Sequence, residues 1–457
     1  MKIKNMKVNR IKPGLLKNKN QLVFLAALLG LTLLSIYSFP FPAAAQTEDK
    51  AEVTAIVGAK IVPVTGPVID SGSILIRNGR IADLGANISI PSGAKVIEAK
   101  GLIAYPGMID SYSWLGLEEI SGVRATVDNR ETGRINPQVK AIEALRYDSM
   151  HIPIARANGI VAAVVVPSGG LISGQSTLVK LEGWTNREMV IKESLAMIIE
   201  LPALRRSRGE FAGFGRQQPQ VTTEKILDEL RQIFQKARMY EKRREAARKN
   251  ILLSPPDFDE ASHFLLPVVK GELPVIFSVH ADKDILQTIK FVQEEKIKAI
   301  FYGVEQGFKV AKEIKEAGIP CIIGSLYSLP PVWEDGYDAL FLNPVILNQA
   351  GVKISFSSSS ASTAKDLPYH AAKAAAFGLK PEEALKAVTI YPAEIFGVDK
   401  LMGSLEPGKT ASIVLADGDL LELGTKIQKV FIDGKEVSLE NRYTELLKKF
   451  EQREADK

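Results

Sequence analysis

Ala104-Tyr105-Pro106-Gly107-Met108-Ile109-Asp110-Ser111-Tyr112-Ser113-Trp114-Leu115-Gly116 is the stretch on which the architecture turns. An apolar run reaches Ile109, meets the acid Asp110, and gives way to alternating hydroxyl and aromatic residues. Alternate side chains of an extended chain point the same way, so Tyr112 and Trp114 share one face at a strand end. Upstream, residues 53–100 consist of short β-branched runs such as Ser73-Ile74-Leu75-Ile76, broken by turn pairs such as Asn78-Gly79. That pattern predicts an antiparallel sheet with hairpins. From Leu102 onward the rhythm changes. Apolar strands predicted at 102–109, 160–166, 274–279, 298–301, 320–323 and 352–356 are separated by longer stretches, helical at 284–295 and 305–317. Such alternation is the signature of βα units and a parallel sheet.

Working further outward, Pro381-Glu382-Glu383 reads as a helix start, with proline in the first turn and acids at the positive dipole end. After Gly403 short strands return at 412–415 and 429–432, the second followed by an Asp433-Gly434 turn. Residues 440–451 read as an amphipathic helix ahead of a charged tail. Residues 223–249 form a highly charged helix with one apolar stripe, Leu227, Leu230, Phe234, Ala237 and Tyr240, after a loop with Gly209, Gly213 and Gly215. The stripe predicts a solvated helix packed on the outside of the main domain, with an anion- or partner-binding arm as the alternative.

Composition narrows the chemistry. A single Cys among 457 residues excludes an internal disulfide framework and any multi-thiolate metal site, and four histidines restrict imidazole-based ligation. The formal charge of +5 is local. Residues 1–45 carry seven basic residues and no acid, then an apolar run from 22 to 39, then Ala43-Ala44-Ala45. This order is that of a secretory signal peptide over 1–45, with an uncleaved membrane anchor as the alternative. Taking those seven from 58 basic residues leaves 51 against 53 acidic ones, a nearly neutral body. The expectation is an exported, periplasmic or otherwise extracytoplasmic protein with no nucleic-acid partner, touching a membrane only through an uncleaved leader.

The 104–116 stretch resembles the first-strand signature of the amidohydrolase superfamily, in which Pro-Gly, an apolar pair and Asp precede a His-x-His pair. Residues 53–100 look like that family's N-terminal half-sandwich. Residues 381–397 and Gly403-Ser404-Leu405-Glu406-Pro407-Gly408-Lys409 look like the last barrel helix and the return to the sandwich. Within the superfamily the pattern is most similar to imidazolonepropionase-like proteins. The resemblance implies an α/β chain: a TIM-like (β/α)8 barrel over 104–400, and a small β-sandwich built from 52–103 and 401–438, with a C-terminal helix and tail at 439–457. It also implies an active site at the C-terminal strand ends. One or two metals would there activate water against a C–N or ester carbonyl, held by the histidine pair, later histidines and a last-strand Asp.

Residue by residue, the ligand positions depart from this pattern. Tyr112 and Trp114 stand where the two histidines belong, and Tyr302 stands at a later ligand position. Ser357-Ser358-Ser359-Ser360 replaces the last-strand Asp, so only His280 matches a family ligand. One imidazole cannot hold a zinc that needs about three protein ligands. An oxygen-rich site of Asp110, Asp282 and Glu305 with His280 competes with plainer roles: a strand-end turn, a helix cap and a helix start. His151, His263 and His370 share no ligand spacing and read as structural. Ser168–Ser176 lacks the Lys and spacing of a phosphate loop, no Gly-x-Ser-x-Gly elbow occurs, and no histidine is expected to serve a serine as base. The expectation is therefore a pseudoenzyme-like barrel with no cofactor. Its pocket, of Tyr112, Trp114, His280, Tyr302, Ser358 and Ser359, binds a small organic ligand or supports a related catalytic subunit. The alternative is an active hydrolase of cyclic or N-acyl amides centred on His280, with a divalent zinc only in that case. A third reading makes the chain a structural subunit whose barrel mouth Tyr112 and Trp114 plug.

Overall fold

The computed structural model describes residues 53–201, 222–330 and 332–455. The leader expected over 1–45 and the loop with Gly209, Gly213 and Gly215 lie outside the described residues. The chain opens with β1 (Val53–Ile61), β2 (Ile69–Arg77), β3 (Arg80–Gly85), β4 (Lys95–Glu98) and β5 (Ile103–Pro106). It continues with β6 (Met108–Ser113), β7 (Ile160–Val165), β8 (Ile172–Gln175), β9 (Thr177–Lys180), β10 (Val190–Lys192) and β11 (Met197–Glu200). Then follow β12 (Val275–Val279), β13 (Ala299–Gly303), β14 (Cys321–Ile323), β15 (Ile354–Phe356), β16 (Ile413–Ala416), β17 (Ile427–Ile432) and β18 (Lys435–Val437).

Both chain ends build one sheet, ordered β18-β17-β16-β5-β1-β2-β3 with β4 paired to β1. Its core is mostly β-branched: Ile56, Ile61, Ile74, Ile76 and Ile413 are buried, together with Phe431. Two hairpins close as the turn pairs predict. Asn78-Gly79 and Asp433-Gly434 each place two successive residues at positive φ, the conformation a two-residue turn needs to match strand twist. The two turns also touch, since a Cβ on Gly79 would stand 2.8 Å from the carbonyl of Asp433. Lys180 of β9 reaches across to Asp433 at 2.5 Å and ties barrel wall to sandwich turn.

The remaining strands form the barrel wall. β6 and β7 are parallel, and β11 through β15 are parallel in sequence order. β6, β7 and β12 are buried at every position, as strands covered on both faces must be. The wall is completed by an element no apolar periodicity announces. β9 runs antiparallel to β7, and β8, one residue before it, runs antiparallel to β11. Residues 172–180 thus make an inverted stave between two parallel groups. At the far edge, the amide of Ser359 donates to the carbonyl of Tyr112 at 3.0 Å and brings the end of the last stave beside the first.

Three sequence expectations change. The strand predicted at 102–109 divides at Gly107, so that β5 belongs to the sandwich sheet and β6 to the barrel. A Cβ on Gly107 would lie 2.2 Å from Val161, and its amide donates to Ser412, so only a bare backbone crosses between the layers there. The helix predicted at 305–317 is shortened to a 3-10 turn at Gly307–Lys309 and one helix at Ala311–Glu316. Ser168–Ser176, whose glycines suggest turns, contains β8, in which Gly174 presses against the carbonyl of Val139. The charged helix spans Thr223–Lys249. It buries Leu227, Leu230, Phe234, Ala237 and Tyr240, while Arg231 and Arg238 reach Glu294 and Glu295 of the neighbouring helix Asp282–Glu295.

A Gly79→Ala substitution combines a left-handed φ of 76° with a collision against the Asp433 carbonyl. We expect it to lower unfolding free energy by about 1–3 kcal/mol in urea titration, with an unchanged m-value. An unperturbed midpoint would contradict the packing of the two turns.

Candidate active site

Side chains from four staves converge at the C-terminal strand ends. The first group is organised by Asp110, which has no solvent exposure. One carboxylate oxygen accepts the amides of Ser358 at 3.0 Å and Tyr112 at 3.3 Å, and the other accepts the Ser358 hydroxyl at 2.5 Å. Ser113 Oγ lies 3.3 Å from Ser358 Oγ and donates to the carbonyl of Ser360. Asp110 therefore does more than tie down its own strand end. It clamps the first stave to the chain leaving the last. Burial pushes its carboxyl up to about 6, against the opposing pull of the hydrogen bonds from Ser358, Tyr112 and Ser113.

The second group is aromatic. Tyr112 and Tyr302 stack face to face with ring centroids 3.7 Å apart and planes within 4°. Tyr112 is buried and Tyr302 half-buried. Desolvation holds both phenols above their ordinary range, so both rings stay neutral. Tyr302 occupies the penultimate position of β13 rather than following the strand, and Ser359 Oγ lies 3.0 Å from Ser357 Oγ. Ser358 is turned instead to Asp110, and Ser357 donates to the carbonyl of Ile323. Trp114 is half-buried, and its indole N–H finds no acceptor among the described residues.

The third group centres on His280. Its Nδ1 lies 2.6 Å from Glu305 Oε2, and its Nε2 lies 3.0 Å from Ser278 Oγ. A carboxylate only accepts, so the proton is assigned to Nδ1, leaving Nε2 to accept the Ser278 hydroxyl. Contrary to the sequence expectation, a histidine nitrogen does stand within hydrogen-bond reach of a serine hydroxyl. Ser278 and His280 are two apart on β12 and its end, so the pleat turns both to one side. The alternation Ser278-Val279-His280 carried that signal, but only the fold brings Glu305 to the other nitrogen.

Backbone conformation delivers Glu305. Gly303 has φ +91°, and a Cβ there would stand 2.5 Å from His280 Nδ1, so only glycine leaves room for the ring. Val304 follows at φ +45°, a left-handed conformation that β-branched residues avoid. The Val304 amide donates to Val279 and the Gln306 amide to His280, and these bonds hold the bend that turns Glu305 back. Strain of this kind persists where the surroundings over-determine it, and functional sites collect it.

The oxygen-rich set does not assemble. Asp110 faces Ser358, Asp282 accepts the amide of Lys283 at the start of its own helix, and only Glu305 meets His280. The other imidazoles are elsewhere: His151 on the carbonyl of Glu119, His263 between Phe258 and Phe264, and His370 accepting the Leu326 amide, its pKa lowered by burial to about 4. Among the described residues no three His, Cys, Asp or Glu side chains gather to hold a metal. Stacked neutral phenols fill the first-strand and β13 positions, and both nitrogens of His280 are engaged. This donor set does not fit the hydrolytic metal centre that the first-strand resemblance implies.

The buried Asp110 predicts a pH signature. Its native pKa of about 6 exceeds the ordinary 3.8, so its neutral form is the one the fold favours. Stability from that preference is complete below pH 4 and lost as pH rises through 6, a loss on the order of 2–3 kcal/mol. Asn cannot titrate, so Asp110→Asn should gain on the wild-type protein by that amount between pH 4 and 7, read from urea midpoints. A constant difference across that range would contradict the buried carboxyl.

Comparison with known proteins agrees with this architecture. The profile of the Amidohydrolase family matches residues 342–437, from the helix before β15 to the end of β18. A dihydroorotase of Geobacter sulfurreducens is 31% identical over 128 residues, covering 26% of this chain and 30% of its own length. Amidohydrolase tasK of Hapsidospora irregularis is 21% identical over 79% of this chain and 39% of its own. The chain thus spans well under half the length of these curated relatives. The solved structure of an amidohydrolase from Thermotoga maritima is 25% identical with a TM-score of 0.75, covering 84% of this chain and 99% of that one. The first-strand stretch, the two-ended sandwich, the staved barrel and these relatives converge on similarity to the amidohydrolase superfamily, matched by its family profile over residues 342–437 and by the Thermotoga maritima structure over 84% of the chain.

Proposed function

We propose that this chain is an exported, hydrolase-like protein. In this reading it takes a small carbonyl compound, such as an ester, lactam or N-acyl amide, at the barrel mouth. It cleaves that compound with His280 as general base and without a resident metal. The observation that carries the reading is the His280 ring held between Ser278 and Glu305. An imidazole whose Nδ1–H is anchored on a carboxylate presents the lone pair of Nε2 to its other partner, the arrangement that proton abstraction requires. Relatives named dihydroorotase and amidohydrolase lend support to the hydrolase class. Export rests on the leader over residues 1–45, and N-terminal sequencing of the secreted protein should begin at Gln46. A chain that retains Met1 and stays in the cytoplasm would overturn it. No nucleic acid enters this reading, since the body without its leader is nearly neutral.

A second reading is favoured by the aromatic wall. Tyr112 stacked on Tyr302, with the unpartnered indole N–H of Trp114, suits a flat organic ligand bound without hydrolysis, or support of a related catalytic subunit.

The test is turnover of 4-nitrophenyl acetate, 4-nitroacetanilide and a six-membered lactam by chelator-treated protein. Hydrolysis should survive the chelator and fall at least about 100-fold in His280→Ala, with an unchanged circular dichroism spectrum. Turnover that needs added zinc, or that His280→Ala leaves intact, would overturn the reading. Tryptophan quenching by the lactam with no turnover would favour the second.

A further inference from the structure

We infer that Ser278, His280 and Glu305 form a nucleophilic triad in which Ser278 is transiently acylated by an ester or activated amide. The inference rests on the hydrolase reading above and adds to it the attacking atom. Ser278 Oγ to His280 Nε2 is 3.0 Å and His280 Nδ1 to Glu305 Oε2 is 2.6 Å, so nucleophile, base and orienting acid stand in one hydrogen-bonded line. Such constellations are recognised by geometry and role, because the same line recurs on unrelated folds in different chain orders.

The surroundings are specific to that line. Ser278 is only 9% exposed, two residues before His280 on the same strand end. Gly303 is the gap into which the ring fits, and the left-handed pair Gly303-Val304 is the bend that returns Glu305. A glutamate placed merely to begin a helix needs no such bend. Here a 3-10 turn begins at Gly307 and the helix only at Ala311.

The chemistry closes on itself with water as the co-reactant. Ser278 Oγ attacks the carbonyl carbon, and its proton passes to Nε2. Glu305 stabilises the resulting imidazolium through Nδ1–H. Collapse breaks the bond from the carbonyl carbon to the leaving oxygen or nitrogen, which takes the proton from Nε2. Water then attacks the acyl-serine and gives a proton to Nε2. The released carboxylic acid leaves Ser278 Oγ, which recovers that proton. Ser278 and His280 are the catalytic residues of this scheme, and Glu305 is a positioning residue.

The experiment uses the full chain, treated with chelator, and a fluorophosphonate probe read by intact mass. Expected is one adduct, mapped to Ser278, with fluoride as the leaving group. Ser278→Ala should abolish it and His280→Ala should slow it at least about 100-fold. Glu305→Gln should slow labelling about tenfold or more and Glu305→Asp should restore much of it, which loss of a structural contact alone would not produce. Ser278→Cys, which keeps the side-chain volume, should transfer reactivity to iodoacetamide and so guards against a misfolded alanine variant. No adduct on the wild-type protein, or equal labelling of Ser278→Ala, overturns the triad. If chelator-resistant hydrolysis persists in Ser278→Ala but is lost in His280→Ala, the nucleophile is water and the hydrolase reading stands without the triad. Hydrolysis unchanged in His280→Ala overturns both.

Discussion

The carboxylate of Asp110, sealed from solvent and accepting the amide and hydroxyl of Ser358, joins the first barrel stave to the segment leaving the last. A barrel wall needs its terminal staves beside one another, and here that junction is polar. Burying a carboxyl costs free energy, and the Ser358, Tyr112 and Ser113 hydrogen bonds offset part of that cost. The clamp also sets the mouth. With Ser358 engaged by Asp110, Ser359 adopts a left-handed φ of 55°, donates its amide to Tyr112 and brings its hydroxyl within 3.0 Å of that of Ser357.

The same mouth shows how one position governs several. Tyr302 on β13 stacks on Tyr112 of β6, so the aromatic pair spans the barrel opening rather than lining one side. Immediately after Tyr302, the Gly303-Val304 bend reverses the chain and sends Glu305 to His280. Aromatic stack and imidazole relay are therefore consecutive products of one strand end. In barrels of this kind chemistry is changed by altering strand ends while the wall beneath is kept.

Much of the fold was legible because it is local. Asn78-Gly79 and Asp433-Gly434 announce two-residue turns through the φ angles that only such residues adopt readily. The stripe from Leu227 to Tyr240 announces a buried helix face through its spacing. Gly107 was missed as a strand break, since its necessity lies in Val161, fifty-four residues away, and not in its neighbours. The inverted stave at 172–180 was missed for a similar reason. Its glycines suggest a loop, whereas its pairing with β7 and β11 is made by the wall.

The site divides along the same line. From the sequence alone came the aromatic substitutions at 112 and 114, the serine run, and His280 as the one imidazole at a matching strand end, because identity and strand alternation are properties of adjacent residues. Only the tertiary structure decided which groups meet: Asp110 with Ser358, Tyr112 with Tyr302, and Glu305 with the far side of His280. Ser278 belongs to both. Its two-residue offset from His280 is written in the chain. Its relation to Glu305 depends on a left-handed bend that glycine permits and the surrounding packing enforces, which no run of neighbouring residues encodes.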